Sequence, residues 1–155
     1  MSKETVYRDA EREIAALIEG LDDPIAAMAS CASVLHGRLP LASWTGFYRV
    51  VAPGKLLVGP YQGPPACLEI AFEHGVCGAA ACSRETQVVA DVHSFEGHVA
   101  CDPRARSEVV VPLFDRAGEV VAVLDVDSHE PGAFDETDRL GLERIVRLLE
   151  PAFAA

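Results

Sequence analysis

The chain has 155 residues, half of them hydrophobic, which is enough for one globular domain with a buried core. Its 24 acidic and 13 basic residues give a formal net charge of -11. Nucleic acids and anionic membranes bind clustered basic residues, so this charge balance argues against both as partners.

The first residues alternate in charge where a secretory signal peptide needs an apolar run. No stretch stays apolar for the roughly 20 residues that cross a bilayer. We therefore expect a cytoplasmic protein. The five cysteines are an odd number, which favours free and partly reactive thiols over a fixed disulfide framework.

Hydrophobic periodicity predicts two N-terminal helices over residues 3–19 and 24–39. Their predicted apolar stripes hold Tyr7, Ile14, Leu17 and Ile18 in the first helix, and Ile25, Met28, Ala32, Leu35 and Leu39 in the second. Strands are predicted at 44–51, 56–62, 68–72, 86–92, 108–114 and 120–127, with a short helix over 75–85. A last helix begins at Asp135 and buries Leu142, Ile145, Val146, Leu149 and Phe153.

This order of elements predicts an α+β fold in which helices pack on a mostly antiparallel sheet. Residues 1–155 form one domain, with the N-terminal helices in 1–40 and the sheet, a ligand pocket and the C-terminal helix in 41–155. Residues 93–107 are polar and without period. A loop of this length inside a compact domain is usually functional.

Three cysteines stand in positions that suit thiol chemistry. Cys101 lies in the polar loop, Cys77 at the head of the glycine-flanked short helix, and Cys67 at the start of a strand. A helix N-terminus or a nearby cation can favour the nucleophilic thiolate. Each could equally be a small buried side chain, and local features favour that for Cys67 and Cys77. Cys31 and Cys82 are expected in the core or at its edge.

The cysteine and histidine spacings do not indicate a metal site. The chain has no Cys-x-x-Cys pair and no two histidines at a tight helical interval. His93, His98 and Cys101 could meet at a metal, but their spacing does not require it. We expect no metal and no cofactor.

Acidic residues close the last buried strands. Strand alternation places Asp125 and Asp127 on one face, roughly 6.6 Å apart along the strand. Two aspartates in register repel unless a positive group, such as the ammonium of a ligand, lies between them. Asp127 alone could simply begin a turn. Glu108 is a third acidic residue, placed where the loop over residues 93–107 enters the next buried strand. It could equally be an ordinary solvent-exposed residue at the end of a strand.

Aromatic residues mark the first strand. Alternation puts Trp44, Gly46 and Tyr48 on one face and Phe47 on the other. Two aromatics flanking a glycine form a slot that would accept a methyl-sulfinyl group. This segment alone favours ordinary core aromatics.

In order along the chain, several motifs resemble the free methionine-R-sulfoxide reductases, which are stand-alone GAF domains. The motifs are Trp44-x-Gly46-Phe47-Tyr48, Gly59-Pro60-Tyr61-Gln62-Gly63, Ala66-Cys67, Gly75-Val76-Cys77-Gly78, His98-x-Ala100-Cys101-Asp102, Ser107-Glu108-Val109-Val110-Val111-Pro112 and Leu124-Asp125-Val126-Asp127-Ser128. The resemblance runs from about residue 40 to the C-terminal helix.

The resemblance implies a role for each matching residue. Cys101 would be the catalytic cysteine, and Cys67 and Cys77 would supply the resolving thiols. The acidic pocket would consist of Glu108, Asp125 and Asp127, and its aromatic wall of Trp44 and Tyr48.

The same resemblance implies a reaction and partners. Cys101 would reduce free methionine-R-sulfoxide, pass through a sulfenic acid to an intramolecular disulfide, and be restored by thioredoxin. It also implies a homodimer through the N-terminal helices, although a monomer is compatible with the pattern. Two alternatives stay open from the sequence: a non-catalytic GAF domain that senses a small molecule, and a thiol redox switch without a small substrate.

Overall fold

A computed structural model describes residues 1–153, so residues 154 and 155 of the predicted domain lie outside the described residues. The helices are α1 (Lys3–Ile18), α2 (Pro24–Arg38), α3 (Gly75–Ser83) and α4 (Glu136–Leu149), with 3-10 turns at Val92–Ser94 and Glu150–Phe153. The strands are β1 (Trp44–Ala52), β2 (Lys55–Gln62), β3 (Glu69–Ala71), β4 (Gln87–Val89), β5 (Ser107–Phe114) and β6 (Val120–Ser128).

The six strands form one antiparallel sheet in the order β3-β2-β1-β6-β5-β4. Two tight hairpins build it. Gly54 joins β1 to β2 at φ +73°, and Gly118 joins β5 to β6 at φ +81°, a backbone region that glycine enters without steric cost. The predicted α+β fold and antiparallel sheet are confirmed.

Helices α1, α2 and α4 cover one face of the sheet and form the larger core with it. Each begins at a side-chain cap that accepts from free backbone N–H groups: Ser2, Asp23 and Asp135. At α4 the cap is reciprocal, because Asp138 accepts in turn from the Asp135 N–H. The sheet contributes side chains to this core from three strands, among them Phe47 of β1, Val111 of β5 and Leu124 of β6.

Helix α3 covers the opposite face and encloses a smaller core with Tyr48, Leu56, Val110 and Val123. The helix ends at Ser83, before the predicted residue 85, because Arg84 adopts the left-handed conformation at φ +63°. Its guanidinium lies over the Phe114 ring, 5.1 Å from the centroid, which holds this turn against the sheet.

Three predicted core positions are wrong. Leu17 and Ile25 are 57% and 62% exposed, because the buried stripes of α1 and α2 include other residues than predicted. The stripes are Tyr7, Ala10, Ile14 and Ile18 in α1, and Ala27, Met28, Cys31, Ala32 and Leu35 in α2. Cys82 is exposed near the end of α3, whereas Cys31 is buried as predicted. Among residues 1–153, no helix has both the length and the apolar character that crossing a bilayer requires.

A buried hydrogen bond fastens α1 to α4, and its loss should cost stability. The Tyr7 hydroxyl, on a fully buried ring, donates to Asp138 Oδ1 at 2.7 Å. We expect Tyr7→Phe to lower the free energy of unfolding by about 1–3 kcal/mol, because a buried carboxylate loses a donor. The measurement is urea denaturation. The control is Tyr61→Phe, since that hydroxyl forms no hydrogen bond within residues 1–153; an equal loss in both variants would contradict the prediction.

Candidate active site

Strand register gathers the acidic and aromatic residues on the face that α3 covers. Asp127 pairs with Trp44 of β1 on one side and with Glu108 of β5 on the other. Asp125 pairs with Gly46 in the same way. Because side chains alternate along each strand, all of these residues point to the same side of the sheet. The predicted shared face of Asp125 and Asp127 is thus extended by a neighbouring strand to Glu108.

These residues line a cavity of about 40 Å³ between the sheet, the head of α3 and the loop before β5. Of the predicted site residues, all except Cys67 line it: Trp44, Tyr48, Cys77, Cys101, Glu108, Asp125 and Asp127. Cys67 is absent from the lining but its neighbours Pro65 and Ala66 are part of it. The fold therefore brings the predicted residues together in one place.

Cys67 and Cys101 form a disulfide at the wall of the cavity, which Cys101 lines. Their Cα atoms are 5.3 Å apart, within the usual range for this bond. The bond links the segment before β3 to the loop before β5, 34 residues later. The resemblance left open whether Cys67 or Cys77 is the partner of Cys101, and in this structure the bonded residue is Cys67.

Cys77 is a free thiol, 3% exposed, in the first turn of α3. Its Sγ lies 4.0 Å from Glu108 Oε2. Burial, followed by the charges of Asp125 and Glu108, raises the pKa of this thiol well above its ordinary value. A helix N-terminus can favour the thiolate, but at Cys77 desolvation and the carboxylates act in the opposite direction and favour the thiol.

Glycines hold the head of α3 close to the loop and the sheet edge. The Gly75 N–H donates to the Gly97 carbonyl at 2.9 Å. A Cβ at Gly78 would lie 2.6 Å from the Phe72 carbonyl oxygen, so only glycine permits this approach. The position of Cys77 is fixed by these backbone contacts.

The three carboxyl groups favour their protonated forms. Burial raises the pKa of Glu108 and Asp125 well above the ordinary range, and the neighbouring acids raise it further. The pKa of Asp127 is raised by burial and by Glu108. No ion pair within residues 1–153 includes any of the three. Such a site can donate a proton or pair with a cation that enters it.

Trp44 lies between two tyrosines. Its ring stacks on Tyr48 at a centroid distance of 5.8 Å and on Tyr61 at 5.1 Å, and its Nε1 donates to the Pro64 carbonyl. These contacts fix the indole as a flat wall of the cavity. Tyr61 was not predicted as part of the site, although it lies inside the Gly59-Pro60-Tyr61-Gln62-Gly63 motif.

The loop carrying Cys101 is also anchored through its neighbour Asp102. His129 Nε2, at the end of β6, lies 3.2 Å from Asp102 Oδ2, and the Arg104 N–H donates to Oδ1 at 2.9 Å. Burial raises the pKa of Asp102, but these hydrogen bonds outweigh it and lower the pKa below its ordinary value. Asp102 therefore stays ionised, unlike the acids inside the cavity.

Within the part of the chain that the structure describes, one group of three possible metal ligands occurs, formed by Cys77, Glu108 and Asp125. The alternative group of His93, His98 and Cys101 is not assembled. His98 lines the cavity, and burial lowers its pKa. Its place in the cavity wall was not predicted, although it opens the motif that contains Cys101.

Comparison with known proteins identifies relatives along the whole chain. The GAF domain family matches residues 21–154. The free methionine-R-sulfoxide reductase of Escherichia coli is 38% identical over 99% of this chain and 92% of its own. The free methionine-R-sulfoxide reductase of Neisseria meningitidis, solved in complex with its substrate, superposes with a TM-score of 0.94 at 40% identity, over 99% of this chain and 91% of that one. A Burkholderia vietnamiensis protein described as a GAF sensor has a TM-score of 0.92 at 43% identity, with coverages of 97% and 94%.

Gly46 should be required for the position of Trp44. A Cβ at residue 46 would lie 2.7 Å from Trp44 Cη2 and 2.8 Å from Tyr61 Cα. We expect Gly46→Ala to shift the emission of Trp44, the single tryptophan, and to lower stability by about 1–3 kcal/mol through overpacking. Gly37→Ala in α2 is the control, because no atom lies within 4 Å of its new methyl group. Unchanged emission in Gly46→Ala would contradict the prediction.

The buried acids should make stability depend on pH in a defined direction. The pKa of Asp125 is higher in the folded chain than in the unfolded one, where it is about 4. Its stabilising contribution is therefore complete below pH ~4 and lost as the pH rises through the folded pKa.

We expect Asp125→Asn to raise the melting temperature at pH 7 and to lose most of this advantage near pH 4. Thermal unfolding at several pH values tests this. Asp22→Asn, at an exposed aspartate, provides the control. A gain for Asp125→Asn that is the same at both pH values would mean that the protonation of Asp125 does not contribute to stability.

Proposed function

Because this chain belongs to the GAF domain family, in the group of the free methionine-R-sulfoxide reductases, we propose that it reduces free L-methionine-R-sulfoxide to methionine with its own thiols. The observation that carries the proposal is the Cys67–Cys101 disulfide beside a cavity that is lined by Cys101, buried acids and a fixed indole. A nucleophilic thiol, a proton donor and an apolar wall are the groups that sulfoxide reduction requires.

In the proposed first step, the Cys101 thiolate attacks the sulfoxide sulfur. A protonated carboxyl in the group of Glu108, Asp125 and Asp127 delivers a proton to the sulfoxide oxygen. Their raised pKa values support this role, because a carboxylic acid keeps its proton at neutral pH only when its charged form is disfavoured. The S–O bond of the substrate then breaks and its oxygen passes as a hydroxyl to the Cys101 sulfur. The substrate sulfur gains two electrons and leaves as methionine, while Cys101 loses two and becomes a sulfenic acid.

In the second step, the Cys67 thiol attacks the sulfenic sulfur, which releases water and forms the disulfide. We propose Cys67 as the main resolving thiol, because it is the residue bonded to Cys101 while Cys77 is free. Thioredoxin then restores both thiols by disulfide exchange. Such a reductant supports a cytoplasmic location, where dithiols are maintained.

The acids also account for a preference for the free amino acid. A free substrate carries an α-ammonium group that an ionised carboxylate of the cavity can pair with, whereas methionine within a chain has none. The oxygen Oδ1 of Asp125 is buried without a hydrogen-bond partner, and an incoming donor would satisfy it.

Substrate entry in this scheme requires the reduced form. The cavity of about 40 Å³ holds only a few water molecules at roughly 10–15 Å³ each, which is less than an amino acid needs. Reduction frees the segments of Cys67 and Cys101 from one another. The cavity can then widen toward the loop before β5.

The proposal predicts a strict order among the cysteine variants. Cys101→Ser should abolish turnover, and Cys67→Ser should release one methionine per chain but turn over slowly with thioredoxin. Cys82→Ser should retain wild-type rates, because its thiol is exposed away from the cavity. The measurement is consumption of NADPH through thioredoxin reductase and thioredoxin, with each epimer of methionine sulfoxide supplied separately.

Turnover of the R epimer alone, lost in Cys101→Ser, is the expected result. Turnover in Cys101→Ser near the wild-type rate would contradict the assignment of the nucleophile. Absence of turnover with either epimer, from a folded and reduced sample, would favour a sensor. Disulfide formation with oxidant but without turnover would favour a redox switch. A homodimer through α1 and α2 stays a prediction, which sedimentation tests.

A further inference from the structure

Three potential metal ligands converge at the base of the cavity. The Sγ atom of Cys77 and one carboxylate oxygen each of Glu108 and Asp125 all lie within 4.8 Å of one another. The side chains are 3%, 6% and 5% exposed, respectively. These three residues are called the thiol–carboxylate cluster below. None of them belongs to the disulfide, so the cluster is available whether Cys67 and Cys101 are bonded or reduced.

The cluster lacks a positive partner. Within residues 1–153, none of its members forms an ion pair with a lysine, arginine or histidine. One polar atom is also unused, because Asp125 Oδ1 is fully buried and has no hydrogen-bond partner, while its residue lines the cavity. Buried acceptors are rarely left unsatisfied in folded proteins, so this oxygen points to a ligand.

We propose that the thiol–carboxylate cluster binds a thiophilic divalent cation, Zn²⁺ or Cd²⁺, when substrate is absent. One thiolate and two carboxylates are a donor set that suits these ions and that Mg²⁺ and Ca²⁺ do not select. Typical bonds to zinc are about 2.3 Å from sulfur and about 2.0–2.2 Å from oxygen. With bonds of these lengths, a sulfur and an oxygen on the same ion lie roughly 4 Å or slightly less from one another. Cys77 Sγ and Glu108 Oε2 are 4.0 Å apart, so only a small movement would bring both onto one ion.

Size and proton balance agree with an ion in this place. An ion needs about the space of one water molecule, which a cavity of about 40 Å³ provides. Binding replaces the thiol proton of Cys77 by a sulfur–metal bond and releases that proton to solvent, together with any proton held by the carboxyl groups. No group is oxidised or reduced. The coordination position that faces the cavity remains open to water.

This site would regulate the reaction, a consequence that rests on the proposed function. The cation would occupy Glu108 and Asp125, which the substrate also needs. Metal and methionine sulfoxide would then exclude one another, so that metal raises KM and leaves kcat unchanged.

The first experiment is a titration of the reduced, substrate-free chain with CdCl₂, followed by the ultraviolet absorption of the cadmium–thiolate bond and by calorimetry. We expect one ion per chain in the wild type. Cys77→Ala should lose the absorption band. Both Cys77→Ala and Asp125→Asn should also lower the affinity for cadmium. The loss of an outer-shell partner typically lowers metal affinity by roughly 10- to 100-fold, and the loss of a direct ligand should cost at least as much.

The matched control is Cys82→Ala, which removes an exposed thiol of the same helix and should bind cadmium like the wild type. The double variant Cys67→Ser with Cys101→Ser should also keep the band, because the cluster does not include these residues. Wild-type affinity in Cys77→Ala, or a band that disappears with Cys67 and Cys101 instead, would overturn the site. So would the absence of binding to the wild type.

The second experiment adds free methionine-R-sulfoxide to the cadmium complex of the Cys67→Ser, Cys101→Ser variant, which cannot turn it over. Loss of the band with increasing sulfoxide is the expected competition, and a band that persists at saturating sulfoxide would overturn the regulatory role. Cadmium binding to a chain that reduces neither epimer would leave the cluster in place and contradict only the proposed function.

Discussion

The antiparallel register of β5, β6 and β1 is the constraint on which the site depends. It aligns Glu108, Asp127 and Trp44 in one row across the sheet and puts Asp125 one step along the same face. A shift of one residue in either pairing would turn the acids toward the helices α1, α2 and α4 and into the larger apolar core. The apolar residues that alternate with the acids fix this register, because Leu124 and Val126 must face the helices. The apolar packing that stabilises the fold therefore also determines the positions of the site residues.

Burying these acids in the core lowers the stability of the fold. Burial raises the pKa values of Glu108 and Asp125 because it removes the carboxyl groups from solvent, and no ion pair among the described residues compensates for that loss. The same property makes them useful, since a carboxyl that holds its proton can give it to a substrate, and one that has lost it attracts a cation. The strong caps of α1, α2 and α4 and the large core beneath them offset this local cost.

Much of this could be predicted from the sequence because strand alternation is local. It separated Trp44 and Tyr48 from Phe47 and put Asp125 and Asp127 together, as the structure has them. The position of Glu108 beside Asp127 depends on the pairing of β5 with β6. Local sequence patterns do not encode which strands pair. The same reason explains why Cys67 could not be told apart from Cys77 as the partner of Cys101. The exposure of Cys82 escaped prediction because an alanine-rich helix has no clear polar face from which to judge orientation.

The disulfide has a consequence for the lifetime of the chain. It closes a ring that spans β3, α3 and β4, because its two cysteines lie 34 positions apart in the sequence. A ring of that size restricts the unfolded chain and, by loop entropy, stabilises the folded one by about 4 kcal/mol. Under the proposed reaction, each turnover that outruns the supply of reductant leaves the chain in this cross-linked form. In a cell that lacks reductant, the oxidised form would therefore accumulate and resist unfolding and degradation. It would become active again when the disulfide is reduced.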